Sequence, residues 1–130
     1  MSETSRAPIG SIAWLDLTAP DANGLRDFYT AVTGWKTEAV DMGEYNDWTM
    51  SEPESGEAVA GVCHARGQNA DLPPQWLVYV IIADLDASLA QCRARGGAVV
   101  SGPRDLGSYG RFAVIRDPAG ASIALMQLPD

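Results

Sequence analysis

The stretch Gly110-Arg111-Phe112-Ala113-Val114-Ile115-Arg116-Asp117-Pro118-Ala119-Gly120-Ala121-Ser122-Ile123-Ala124-Leu125-Met126 reads as two strands joined by a tight turn. Residues 112–115 are apolar and partly β-branched, and residues 122–126 form the second strand. Between them, Asp117-Pro118-Ala119-Gly120 is turn chemistry. The Asp side chain caps, Pro fixes φ, and Gly accepts a positive φ.

Upstream of this hairpin, residues 76–82 form an apolar strand. Asp84 caps a helix that runs to about Arg95, with Leu85, Leu89 and Cys92 on one face, and Gly96-Gly97 ends it. A short strand over 98–101 is broken by Gly102-Pro103. The same order occurs earlier in the chain. Residues 11–18 alternate, with Ala13, Leu15 and Leu17 on one face and Trp14, Asp16 and Thr18 on the other. Asp21 caps a helix over 22–33 with Leu25, Phe28, Tyr29 and Val32 along a stripe, and Gly34 closes it. Strands follow over 35–40, 45–51 and 57–64. Asp21 and Asp84 lie 63 residues apart, as do Gly34 and Gly97. The chain is therefore an internal repeat of a β-α-β-β-β unit. Either copy alone buries one face of a small sheet, and two copies side by side would curve into a trough with the helices outside.

The boundaries follow: a tail over 1–8, a first module over 9–65, a polar Gly- and Pro-containing link over 66–74, and a second module over 75–128. A chain of 130 residues with 46% hydrophobic and 20% charged residues suits one globular domain. The net charge of −8 gives no electrostatic reason to bind nucleic acid or an anionic membrane. No apolar run reaches the length of a membrane span, and the first residues lack the pattern of a secretory signal, so the expected location is cytoplasmic. Cys63 and Cys92 are far apart and read as free, buried thiols.

Phe28-Tyr29-x-x-x-x-Gly34-Trp35, Asp84-x-Asp86 and Gly110-Arg111-Phe112-x-x-x-x-Asp117-Pro118-x-Gly120, in this order, resemble the vicinal oxygen chelate superfamily of glyoxalases, bleomycin-resistance proteins and dioxygenases. Trp14-x-Asp16-Leu17 adds a likeness to its small two-module branch. The resemblance implies an α+β fold of two βαβββ modules with a cleft inside curved mixed sheets, a small-molecule ligand and a homodimer. It also implies a divalent metal held by His and Glu from the first and last strand of each module. Counting from the repeat's landmarks, those positions fall on Trp14, Leu77, Ala124, and Ala60 or Gly61. None of these side chains coordinates a metal, so neither metal nor cofactor is expected.

The remaining candidates are read against plainer roles. Asp16, two residues from Trp14, is a catalytic base or ligand anchor, or else the partner of Arg111 in a salt bridge. His64, the sole histidine, is a base or a hydrogen-bonded rim residue. If Ala60 faces the trough, Ala58, Val62 and His64 share its face. Cys63 and His64, being neighbours on a strand, should not form a catalytic pair. Trp14, Trp48 and Tyr79 are expected to line the cleft, with Tyr109 at its rim and Arg111 as an anion anchor. Trp35 and Trp76 are expected to be packing residues. The expected function is metal-free binding of an aromatic small molecule, such as a sequestered antibiotic. The alternatives are a metal-independent isomerase, cyclase or lyase using Asp16 or His64, and a dimer whose cleft is vestigial or regulatory.

Overall fold

The structure, a computed structural model, describes residues 7–66, 70 and 72–130. Its elements are β1 (Ile12–Ala19), α1 (Ala22–Thr33), β2 (Lys36–Asp41), β3 (Asn46–Ser51), β4 (Ala58–His64), β5 (Trp76–Ile81), α2 (Leu85–Ala94), β6 (Ala98–Asp105), a 3₁₀ turn over Gly107–Tyr109, β7 (Arg111–Arg116) and β8 (Ser122–Gln127). This is an α+β chain of two βαβββ modules. Its contacts divide it into two units, one of Trp14–Trp76 and one of Leu77–Asp130 with the described part of residues 1–13. The expected link at 66–74 falls partly outside the described residues, as does most of the expected tail.

In the first module the strands are ordered β2-β3-β4-β1. β1 and β4 run parallel, with Asp16 opposite Gly61 and Thr18 opposite Cys63, while β2, β3 and β4 are antiparallel. α1 starts where Asp21 accepts a hydrogen bond from the Gly24 N–H and ends at Gly34 in the left-handed region. The helix packs on Met50, Ala60 and Val62, with Leu25, Tyr29, Trp35, Trp48 and Trp76 around them. The Trp76 indole N–H donates to the Tyr29 hydroxyl at 3.1 Å. Trp35 and Trp76 are thus packing residues, as their positions suggested.

The second module repeats this order as β5-β8-β7-β6. β5 and β8 are parallel, with Tyr79 opposite Ala124, and the other pairs are antiparallel. α2 begins at Asp84, whose side chain accepts from the Ala87 N–H, and its Leu85 N–H donates to the Gln127 side chain at 2.7 Å. Leu85 and Leu89 pack on Ala113 and Leu125, flanked by Val80, Val99 and Ile115.

One strand departs from expectation. Gly102-Pro103 was expected to end the strand at residue 101, but β6 continues to Asp105. Register shifts on either side of Ser101 absorb the irregular residues and let pairing resume at Arg104 and Asp105.

Candidate functional site

Because residues on a strand alternate faces, the helix contacts of each module decide what its opposite face carries. In the first module Met50, Ala60 and Val62 face α1. Trp48 lies opposite Val62 in the register, and its indole N–H donates to Asn23 of α1 at 2.9 Å. Trp48 therefore belongs to the helix side and does not accompany Trp14. Ala60 and Val62, provisionally assigned to the trough, are helix-side residues as well, and the ambiguity between Ala60 and Gly61 is resolved in favour of Gly61.

The face opposite α1 is polar. One row crosses all four strands: Asp16 opposite Gly61, Gly61 opposite Thr49, and Thr49 opposite Glu38. Trp14, Cys63 and Asp47 share this face by parity. The Trp14 indole Nε1–H donates to Asp16 Oδ1 at 2.5 Å. Gly61 makes this arrangement possible. A Cβ there would collide with Asp16 Oδ1 and come within 3.4 Å of Trp14 Nε1, so the carboxylate lies over bare backbone.

Asp47 is buried and holds the end of β4. Its Oδ1 accepts the backbone N–H of His64 at 2.9 Å, and the Cys63 thiol hydrogen-bonds to its carboxylate. His64 Nδ1 is 3.4 Å from the same oxygen without forming a hydrogen bond. The His64 ring packs edge-on against Tyr45 at 5.2 Å, and the Arg66 guanidinium stacks on the other ring at 4.3 Å. Burial pushes the Cys63 thiol well above its usual range, and the negative charges of Asp16 and Asp47, with the hydrogen bond to Asp47, add to this. Cys63 and His64 both reach Asp47, yet the thiol is held protonated and supplies no nucleophile.

This makes alkaline stability a readout of the face. The folded thiol titrates above the unfolded one, so its stabilising contribution is complete below the unfolded value. It is lost as pH climbs from there towards the folded value. Denaturant midpoints should fall between about pH 9 and pH 11, and Cys63→Ala should remove that part of the fall. An unchanged alkaline slope in the variant would show that the thiol is not linked to folding.

In the second module, Val80, Ala113, Ile115 and Leu125 take the α2 side. The opposite face holds Leu77, Tyr79, Phe112, Val114 and Ala124, all buried. Tyr79 and Phe112 have ring centroids 6.1 Å apart, and the Arg104 guanidinium lies 6.0 Å from the Phe112 ring. Arg111 has the parity of Ala113 and sits on the helix side, where its Nη2 pairs with Asp86 of α2 at 3.3 Å. It does not join Tyr79. Tyr109 lies in the 3₁₀ turn and is 75% exposed. Glu38, Asp47 and Thr49 of the first module were not identified from sequence. With Trp48 expected in the cleft, alternation turned Asp47 and Thr49 away from it, so no local signal pointed to them.

The positions at which this fold would place metal ligands hold Trp14, Gly61, Leu77 and Ala124, which do not fit a cation. Among the described residues no three His, Cys, Asp or Glu side chains gather as a metal site would require.

Residues 11–125 match the family model described as Glyoxalase/Bleomycin resistance protein/Dioxygenase superfamily. The chain belongs to that superfamily. Within it, the chain is 36% identical over 129 residues to the anthracycline biosynthesis protein DnrV of Streptomyces peucetius, covering 89% of this chain and 46% of that one. It is 32% identical over 132 residues to CFP32 of Mycobacterium tuberculosis, provisionally named a glyoxylase, covering 98% of this chain and 49% of that one. The chain thus spans about half the length of the curated relatives it matches. Among solved structures, Streptomyces coelicolor methylmalonyl-CoA epimerase bound to 2-nitronate-propionyl-CoA superposes with a TM-score of 0.55 at 18% identity. That match covers 95% of this chain and 100% of the epimerase, and it establishes the superfamily fold. Among the described residues no helix is long and apolar enough to cross a membrane.

Proposed function

We propose that this superfamily member binds a small aromatic molecule bearing a cationic or hydrogen-bond-donating group, without a metal, on the first-module face opposite α1. The observation that carries this reading is the Trp14–Asp16 hydrogen bond laid over Gly61. It fixes an indole ring beside an oriented carboxylate, and Asp47 and Glu38 add negative charge on the same face. An aromatic surface with a few convergent polar groups is the usual lining of a small-molecule site, and carboxylates select a cation. The likeness to an anthracycline biosynthesis protein supports an aromatic, polycyclic ligand class. Holding such a molecule is sufficient for sequestration, and a homodimer is part of the same proposal.

The alternative is metal-independent isomerisation, cyclisation or elimination with Asp16 as base. Asp16 Oδ1 is engaged by the Trp14 indole N–H, an arrangement that holds the carboxylate in place beside the ring and supports binding over catalysis. His64 has its Nδ1 turned to Asp47, which supports a positioning role at the end of β4.

Tryptophan fluorescence tests the reading. Titration with planar aromatic amines should quench emission saturably, neutral isosteres should bind about tenfold more weakly, and Asp16→Asn should erase that preference. Equal affinity for amines and neutral isosteres in the wild type would overturn the assignment of Asp16. An identified turnover that Asp16→Asn and His64→Ala both leave intact would exclude either as base.

A further inference from the structure

The two modules differ beside their helices. In the first, Tyr29 lies 5.2 Å from Trp76 and 6.2 Å from Trp35, ring centre to ring centre, and these rings fill the space between α1 and its sheet. In the second, the corresponding space is a groove of 430 Å³ between α2, Ile115, Leu125 and Pro118. The cause can be read from the repeat. Ala87, Ser88, Gln91 and Cys92 of α2 line the groove, with Arg95 just past the helix end. Ser88, Gln91, Cys92 and Arg95 stand 63 residues after Leu25, Phe28, Tyr29 and Val32 of α1, of which Leu25 and Tyr29 pack on the first module's core. Ala98 stands at the same distance from Trp35. The second module therefore has the first module's framework without its aromatic filling.

The rim adds a charge. Arg95 donates from Nε to the neutral amide of Gln91 at 3.1 Å. The nearby Asp117 is turned into its own turn, where Oδ1 accepts the N–H groups of Ala119 and Ala121 at 2.8 and 3.0 Å. A guanidinium then stands at the mouth of an apolar slot.

We infer that this groove is a second binding site, distinct from the face opposite α1, and that it takes a planar aromatic carboxylate. The ring occupies the space that Tyr29 and Trp35 fill in the first module, and the carboxylate meets Arg95. A volume of this size suits a one- or two-ring molecule. Forked hydrogen bonding from a guanidinium favours a carboxylate over a neutral amide.

The test is calorimetric titration of the intact chain with 2-naphthoate, 2-naphthamide and cyclohexanecarboxylate. Residues 77–130 contain no tryptophan, so fluorescence is not the reporter. Saturable binding of 2-naphthoate is expected, with the other two about tenfold weaker. Cys92→Tyr should abolish binding by restoring the first module's filling. Ser88→Leu is a milder second blockade should Cys92→Tyr not fold. Arg95→Gln should bring 2-naphthoate down to the level of 2-naphthamide, and Trp14→Phe should leave its affinity unchanged. The inference fails if 2-naphthoate does not bind, or if both blocking variants bind it as the wild type does. It fails equally if Trp14→Phe removes binding, which would place the molecule on the other face. A wild-type dimer that Cys92→Tyr dissociates without any 2-naphthoate would make the groove an interface between copies and would also overturn it.

Discussion

Gly110→Ala is expected to lower stability by about 3 kcal/mol and the melting temperature by roughly 10 °C. Two independent costs coincide at this residue. Its φ of 106° and ψ of −155° lie in a region that essentially only glycine occupies. A Cβ there would also collide with the backbone oxygen of Gln127 and come within 3.1 Å of the Leu128 Cα. These are main-chain atoms, so neither can swing aside as a side-chain tip would. The damage would spread, because Gln127 accepts the hydrogen bond from the first N–H of α2. Gly120 is the control. It has a φ of 95°, but a Cβ there would meet nothing within 4 Å. Gly120→Ala should therefore cost only the backbone strain, about 1 kcal/mol. Thermal unfolding of the two variants side by side decides the matter. Equal melting temperatures would mean that β8 can move away from the turn and that the close approach is not a constraint.

The same hairpin shows why the architecture was legible in the sequence. Asp117-Pro118-Ala119-Gly120 encodes its turn locally, through an Asp side chain that accepts from backbone N–H groups and a Gly at positive φ. The helix caps at Asp21 and Asp84 are equally local, and α1 begins and ends where its caps and apolar stripe require. What local chemistry could not specify was the face that each strand residue presents. Ala60 and Gly61 are both small, both compatible with a buried strand, and adjacent. A slip of one residue exchanges the two faces of the whole strand. That slip carried Ala60 and Val62 to the wrong side in the sequence reading and left Cys63 out of the site. Trp48 was misplaced for a related reason. Tryptophan suits a ligand cleft and a helix contact alike, and only the Asn23 hydrogen bond selects the helix. Arg111 was drawn towards Asp16 by charge alone, while its parity on β7 gives it to Asp86. The candidate site was thus legible as a pair, Trp14 and Asp16, whose alternation is local. Asp47 and Glu38 join it through register, a non-local property. The 3₁₀ turn at Gly107–Tyr109 has no side-chain cap hydrogen bond, consistent with its weak signature in the sequence.

Gly61→Ala is the variant that tests the site and the register together. The added methyl meets the Asp16 carboxylate rather than backbone, so the carboxylate must leave its position and give up the Trp14 hydrogen bond. The expected cost is about 2 kcal/mol, combining overpacking with a lost charge-assisted bond. The decisive comparison is a cycle with Asp16→Ala. Once the carboxylate is gone, the space over residue 61 opens and the methyl has room. Gly61→Ala should then cost only a few tenths of a kcal/mol, leaving a coupling of more than about 1 kcal/mol between the two positions. Aromatic-amine titration should follow the same logic. Gly61→Ala alone should lose the preference for amines over neutral isosteres as fully as Asp16→Asn does, because what the ligand would recognise is the position of the carboxylate and not its presence alone. A Gly61→Ala penalty that is the same in both backgrounds would place the two side chains out of contact. The parallel register of β1 and β4, on which the polar face depends, would then be wrong by at least one residue. If the coupling appears but amine preference survives Gly61→Ala, the register stands and the ligand is held by some group other than Asp16, with Asp47 and Glu38 the next carboxylates on that face to replace.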